Sequence, residues 1–322
     1  MKLGKERFLF FINKIELLIE SSKSEENIAK YVFLNDLRTP MFMLEGLSKM
    51  YSKINDEEIF TELKEQFKTI EDALGAIDFF AAYKNEFAAN KKIKTAIIEY
   101  FQENENKKLE EFGAILIEQN WLNGVKIEEI KNILNQIDWD KEEKEIEKIK
   151  KYYKKQIEKI NEFVVEIGYP FHDVEENIHE LRRRVRWLSI YPQALRGAIQ
   201  LIDIEPIAYH LQKYQLPEIV NSKYNIMPEA GPHSYFLNVN KQKFFALSWY
   251  ILKMGTLKDY GLKINALKEA FKIKISLNEV ASETETYALL GNKQPSQADV
   301  LEKASEISKI FFEENNLDFI EN

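Results

Sequence analysis

The chain has 322 residues, 45% of them apolar, which suffices for one large domain or two of ordinary size around a substantial core. It contains no cysteine, which excludes a disulfide framework and thiolate-bound metal and makes the cytoplasm the expected compartment. A formal charge of −8 excludes broad, non-specific binding of nucleic acid, so any anion site has to be local.

Only 11 glycines and 8 prolines interrupt long stretches of Glu, Lys, Leu, Ile and Ala, and the chain is predicted to be all-α. The apolar run "FLFFI" near the N-terminus is broken by Lys14 and Glu16. It is too short for a signal or a membrane span, so it is predicted to be the first helix, with no membrane partner. "LNDLRTPMFML" (34 to 44) follows, where Thr39 and Pro40 suit a helix start. The stretch is similar to the phosphoacceptor box of sensor histidine kinases, but Asn35 stands where the phosphorylated histidine would be, and no glycine-rich ATP lid lies downstream. "EDALGAIDFF" (71 to 80) places a glycine ahead of an aspartate in a helical segment. In "DKEEKEIEKIKKYYKKQIEKINEFVVEIG" (140 to 168), Ile146, Tyr153, Ile157, Ile160 and Val164 recur at helical spacing, predicting an amphipathic helix that stops at Gly168.

The next stretch, "IHELRRRVRWLS" (178 to 189), breaks the pattern of the chain. There are 7 arginines against 38 lysines, and five of the seven (Arg182, Arg183, Arg184, Arg186 and Arg196) fall here or just beyond. On a helix at about 100° per residue, His179, Arg182, Arg183 and Arg186 share about a third of the circumference, while Ile178, Leu181, Val185 and Leu188 gather on another side. A planar guanidinium fork matches phosphate or carboxylate oxygens in a way an ammonium does not. The competing reading pairs these arginines with acids of neighbouring helices, which an acidic bundle supplies in plenty. His179, beside three cations, is predicted to have a lowered pKa.

Four prolines (Pro206, Pro217, Pro228 and Pro232) mark residues 203 to 240 as a long broken connection. "NKQKFFALSWYILK" resumes a helical spacing, and "LKMGTLKDYG" (252 to 261) repeats the earlier arrangement of a glycine ahead of an aspartate. Laid against each other at an offset of 144, "LNDLRTPMFML" and "IHELRRRVRWL" match at Asp36/Glu180, Leu37/Leu181, Arg38/Arg182 and Leu44/Leu188. Two degenerate copies of one helical unit, 1 to 165 and 166 to 322, are predicted, the second enlarged by the proline-rich insert.

These stretches resemble the CHAD domain family (conserved histidine α-helical domain). "HELRRRVRWL" is similar to its His-x-Leu-Arg helix, "KMGTLKDYG" to its later glycine-containing segment with Lys258 and Asp259, and "DALGAIDFF" to the first-half version. The resemblance implies two repeated antiparallel helical bundles related by a pseudo-two-fold axis. It also implies binding of inorganic polyphosphate in a basic channel lined by His179, Arg182, Arg186 and Lys258, with Arg183 and Arg184 beside them and Arg38 as the surviving basic residue of the first half. The first half departs from the pattern, with Asn35 at the histidine position, Phe42, Met43 and Glu45 at later basic positions, and Asp78 where arginine is usual.

No catalytic residue, metal site or cofactor is predicted. Glu176 and His179 form a Glu-x-x-His pair with no second copy, and the arginines beside it would repel a divalent ion. His210 and His233 lie in the insert, and neither a nucleophile elbow nor a phosphate-binding loop is present. The expected function is therefore a non-enzymatic binding module for polyphosphate or a related polyanion, without a specific nucleic-acid partner. The alternative is a protein-interaction scaffold of the same fold that has lost the ligand, and a phosphohydrolase ranks third.

Overall fold

The computed structural model describes residues 2 to 291 and 295 to 321. The first helix is α1 (Gly4–Ser22), where Phe8, Phe11, Ile12, Ile15 and Ile19 bury a stripe at three- and four-residue steps. After the short α2 (Ile28–Leu34), α3 (Arg38–Ile54) and the long α4 (Glu57–Ala88) form an antiparallel hairpin. The Asp56 carboxylate caps α4 by accepting from the Ile59 backbone N–H. Helices α5 (Thr95–Glu118) and α6 (Val125–Gln136) lead to α7 (Glu142–Ile167), the predicted amphipathic helix, which ends at Gly168 with φ of 59°. Ile146, Tyr153, Ile160 and Val164 are buried as the periodicity requires.

A capped π-helical turn (Val174–His179) runs directly into α8 (Glu180–Ala194), and Asp173 accepts from the Glu175 and Glu176 N–H groups at its start. The insert comes next, bounded by a pair of four-residue strands, β1 (Ile199–Ile202) and β2 (Leu237–Asn240), which lie parallel with Ile199 opposite Leu237. Helix dominates, as expected of an all-α chain, and the two strands of this small sheet are an addition that the sequence did not indicate. Their four-residue length gives too little alternation to stand out from an apolar helix segment. Between them lie two 3₁₀ turns (Tyr209–Tyr214 and Lys223–Asn225) and the one-turn α9 (Pro217–Val220). Asn240 then caps the 35-residue α10 (Lys241–Ile275), followed by α11 (Glu279–Leu290) and α12 (Gln297–Glu313).

One apolar core runs without a break past residue 166, containing Phe8, Leu44 and Phe67 as well as Leu188, Leu247 and Phe311. A smaller cluster joins the far ends of α4, α5 and α10 through Phe87, Phe101 and Phe271. Two buried polar clasps fix the frame. Arg7 donates to Glu145 at 2.7 Å, to the Tyr51 hydroxyl at 2.6 Å and to the Leu195 carbonyl at 3.1 Å, tying α1, α3 and α7 to the end of α8. Glu142, at the start of α7, accepts from the Ser234 and Tyr235 backbone N–H groups and lies 3.1 Å from His233 Nδ1, holding the insert down. Among the described residues no helix is long and apolar enough to cross a membrane.

Candidate functional site

The site begins with a glycine on α10. Gly255 lets α8 approach so closely that a Cβ there would stand 2.9 Å from Arg182 Nε. That nitrogen donates to the Ile251 carbonyl at 3.2 Å, fixing the guanidinium between the two helices. A second arginine meets a glycine in the same way. Arg38 lies against Gly75 of α4, where a Cβ would be 2.8 Å from Nη2. The chemistry then diverges. Arg38 is paired with Glu71 at 2.8 Å and Asp78 at 2.5 Å, whereas the corresponding positions around Gly255, four before and three after, are Ile251 and Lys258. Arg38 is ion-paired within the fold; among the described residues Arg182 is not, and Asp259 acts on it only from further off.

Arg186, one turn further along α8, makes no close ion pair among the described residues, although Glu71 and Glu45 favour its charge from further off. Its guanidinium lies 4.6 Å from the centroid of Phe42 on α3, and Phe42 is itself stacked on Trp187 with centroids 4.7 Å apart. Burial lowers the pKa of both arginines below the usual range, and for Arg182 the adjacent Arg186 adds to the effect. Like charges one helical turn apart repel. Here they are also largely withdrawn from water, an arrangement that an anion would relieve.

Both arginines line a cavity of about 560 Å³ bounded by α3, α8, α10 and the insert. Phe42, Met43, Ile190, Ile219, Ile251 and Leu252 make much of its wall. The exposed residues of the lining are Asp36, Glu218, Asp259 and Lys223 among the charged ones, with Tyr224 beside them. Gln193 donates to the Ile226 carbonyl at 2.9 Å and Ser248 to Asn225 at 2.5 Å, so the insert is tied to α8 and α10 at the cavity.

The other expected residues fall outside this cavity. Arg183 and Arg184 both pair with Glu180, at 2.6 and 2.7 Å, and the Arg184 guanidinium covers the Phe163 ring at 3.9 Å. The helical wheel explains the split. From Arg182, Arg186 is about 40° round and Arg183 about 100°, while Glu180 sits near 160°, between Arg183 and Arg184. Lys258 pairs with its neighbour Asp259 at 2.9 Å. His179 Nδ1 lies 3.4 Å from Glu175 but is buried without a hydrogen bond. Burial above all, then Lys258, Arg182 and Arg183, lower its pKa against the pull of Glu175, so the ring is neutral at pH 7. Arg196 lies on Phe10 at 3.8 Å, away from the site.

Phe42, read in the sequence only as a missing cation, is the platform on which Arg186 rests. Ile219, Ser222 and Tyr224 reach the site through the fold of the insert, and in the sequence only the cluster of prolines hinted at their role. Among the described residues no three His, Asp or Glu side chains come together as a metal site. Compared with protein families, with curated proteins and with solved structures, the chain matches none of them.

Proposed function

We propose that the protein is a non-enzymatic binding module for a phosphate- or carboxylate-bearing anion, held by Arg182 and Arg186 in the cavity between α8, α10 and the insert. Inorganic polyphosphate is the candidate named by the resemblance to CHAD domains. A duplicated CHAD-like architecture is part of the same proposal, supported by the Arg38–Gly75 and Arg182–Gly255 contacts at matching places in the two halves. The observation that carries the function is that, among the described residues, neither arginine of this cavity makes a close ion pair, in a chain that pairs Arg7, Arg38, Arg183 and Arg184. Acids act on them only from further off, Asp259 on Arg182 and Glu71 and Glu45 on Arg186. Two largely desolvated guanidiniums one turn apart repel each other in the cavity, and an anion between them would offset that repulsion.

Isothermal titration at low ionic strength with inorganic phosphate and medium-chain polyphosphate tests this. Binding weakened about tenfold or more by Arg182→Met and by Arg186→Met is expected, the worth of one charge-assisted hydrogen bond. Absence of binding, or binding indifferent to both substitutions, rejects it. The second reading, a protein-interaction scaffold, is favoured by one observation, the internal pairing that has already neutralised Arg38. It predicts that the Arg182 and Arg186 variants change affinity for a protein and for no small anion.

A further inference from the structure

The cavity's chemistry points to a more specific occupant than a phosphate chain, and we propose that the ligand is a small amphipathic anion, an acidic headgroup on an apolar body. This rests on the anion-binding reading above and narrows it. The charged residues of the lining are three cations (Arg182, Arg186 and Lys223) and three carboxylates (Asp36, Glu218 and Asp259), so the cavity as a whole offers a polyanion no net attraction. The charges are segregated, however. The two arginines are partly buried, and the three acids are exposed. A single headgroup can reach the guanidiniums; a long chain of phosphates would have to run past the carboxylates, on a molecule whose net charge is −8.

The wall between these charges is apolar. Met43, Ile190, Ile219, Ile251 and Leu252 come from four different elements and converge on the same space. Ser189 and Ser248 add hydroxyls to it. Concave sites of this size, apolar with a few convergent polar groups, bury most of a small organic ligand. An inorganic anion would leave that surface wet. An aliphatic body would cover it, with the headgroup oxygens meeting the Nη groups of Arg182 and Arg186, which have no hydrogen-bond partner among the described residues.

The test is a titration of the full chain with butyl, hexyl and octyl phosphate, in parallel with butyrate, hexanoate and octanoate, and with inorganic phosphate and medium-chain polyphosphate as controls. Affinity is expected to rise about fourfold for each methylene buried, in at least one of the two series. The steeper series identifies the headgroup, phosphate ester or carboxylate. Leu252→Gln, at an exposed place on the wall, reduces the slope. Equal affinity of the butyl and octyl members in both series overturns the proposal, as does polyphosphate displacing octyl phosphate at equal concentration of phosphate groups. Those outcomes leave anion binding itself standing. That broader reading fails separately, if no anion binds or if binding survives both Arg182→Met and Arg186→Met in variants whose circular dichroism is that of the parent.

Discussion

Arg186 and Glu45 are two partly or fully buried charges whose environments do not satisfy them, and each makes a measurable claim. Arg186 is desolvated, repelled by Arg182 and Arg38, and compensated in part by Glu71 and Glu45 and by a cation–π contact with Phe42, the last worth about 1 kcal/mol at such a site. Methionine keeps much of the volume and can hold a sulfur–aromatic contact with the same ring. Arg186→Met is therefore expected to raise the stability of the unliganded protein by about 1 kcal/mol in urea unfolding, while binding is lost. A less stable variant would mean that internal partners compensate the guanidinium in full. Glu45 on α3 is buried, and its pKa is raised to about 7, first by burial and then by Glu71, with Lys68 and Lys49 pulling the other way. A raised acid pKa means that the folded state holds the proton more tightly than the unfolded chain. Its stabilising effect is full below pH 4.5 and is lost as pH rises toward 7, on the order of 3 kcal/mol in all. Glu45→Gln should remove that slope, so the difference between wild type and variant changes over this pH window; parallel curves would show that the carboxyl is solvated.

The elements differ in how much of them could be read before folding. α1 and α7 were legible because each repeats one apolar face over several turns, and Gly168 closes α7 where the pattern stops. The insert was legible as a broken segment from its prolines, but β1 and β2 were not, because the partner that makes four residues a strand lies 38 residues away along the chain. The segregation of the arginines shows the same limit. Their clustering on one helix was visible, whereas the capture of Arg183 and Arg184 by Glu180, and of Arg38 by Glu71, depended on side-chain direction and on α3 meeting α4. The insert depends in turn on Glu142. Burial pushes its pKa up, but the Ser234 and Tyr235 N–H groups and His233 outweigh it and hold the carboxyl below the usual range. Its contribution is present above pH 4.5 and is lost as pH falls further. Glu142→Ala takes the acceptor from the Ser234 and Tyr235 N–H groups and from the His233 ring, at a cost of about 1 kcal/mol or more. Limited proteolysis should cut the variant first within residues 203 to 240, and anion affinity should fall with it, since Ile219 and Tyr224 reach the cavity on the same segment. Unchanged cleavage would mean that the ties from Gln193 and Ser248 suffice.

At the scale of the whole molecule, an acidic protein that binds an anion has to do so against its own field. Charges in solvent more than about 10 Å apart are screened at 0.1 M salt, while a pair enclosed in a cavity is screened much less. The two places where cations gather on α8 therefore predict different salt behaviour. Arg183 and Arg184, beside Lys49 and Glu180, line a separate surface cleft, and an anion held there would be released steeply as salt rises. An anion seated on the partly buried Arg182 and Arg186 sits among Met43, Ile190 and Ile251, and its binding draws on apolar contact that added salt does not weaken. Between roughly 0.05 and 0.5 M sodium chloride, the dissociation constant of octyl phosphate is accordingly expected to rise by less than about threefold. A rise of tenfold or more, abolished by Arg183→Ala instead of Arg186→Met, would move the site from the cavity to the outer face of α8.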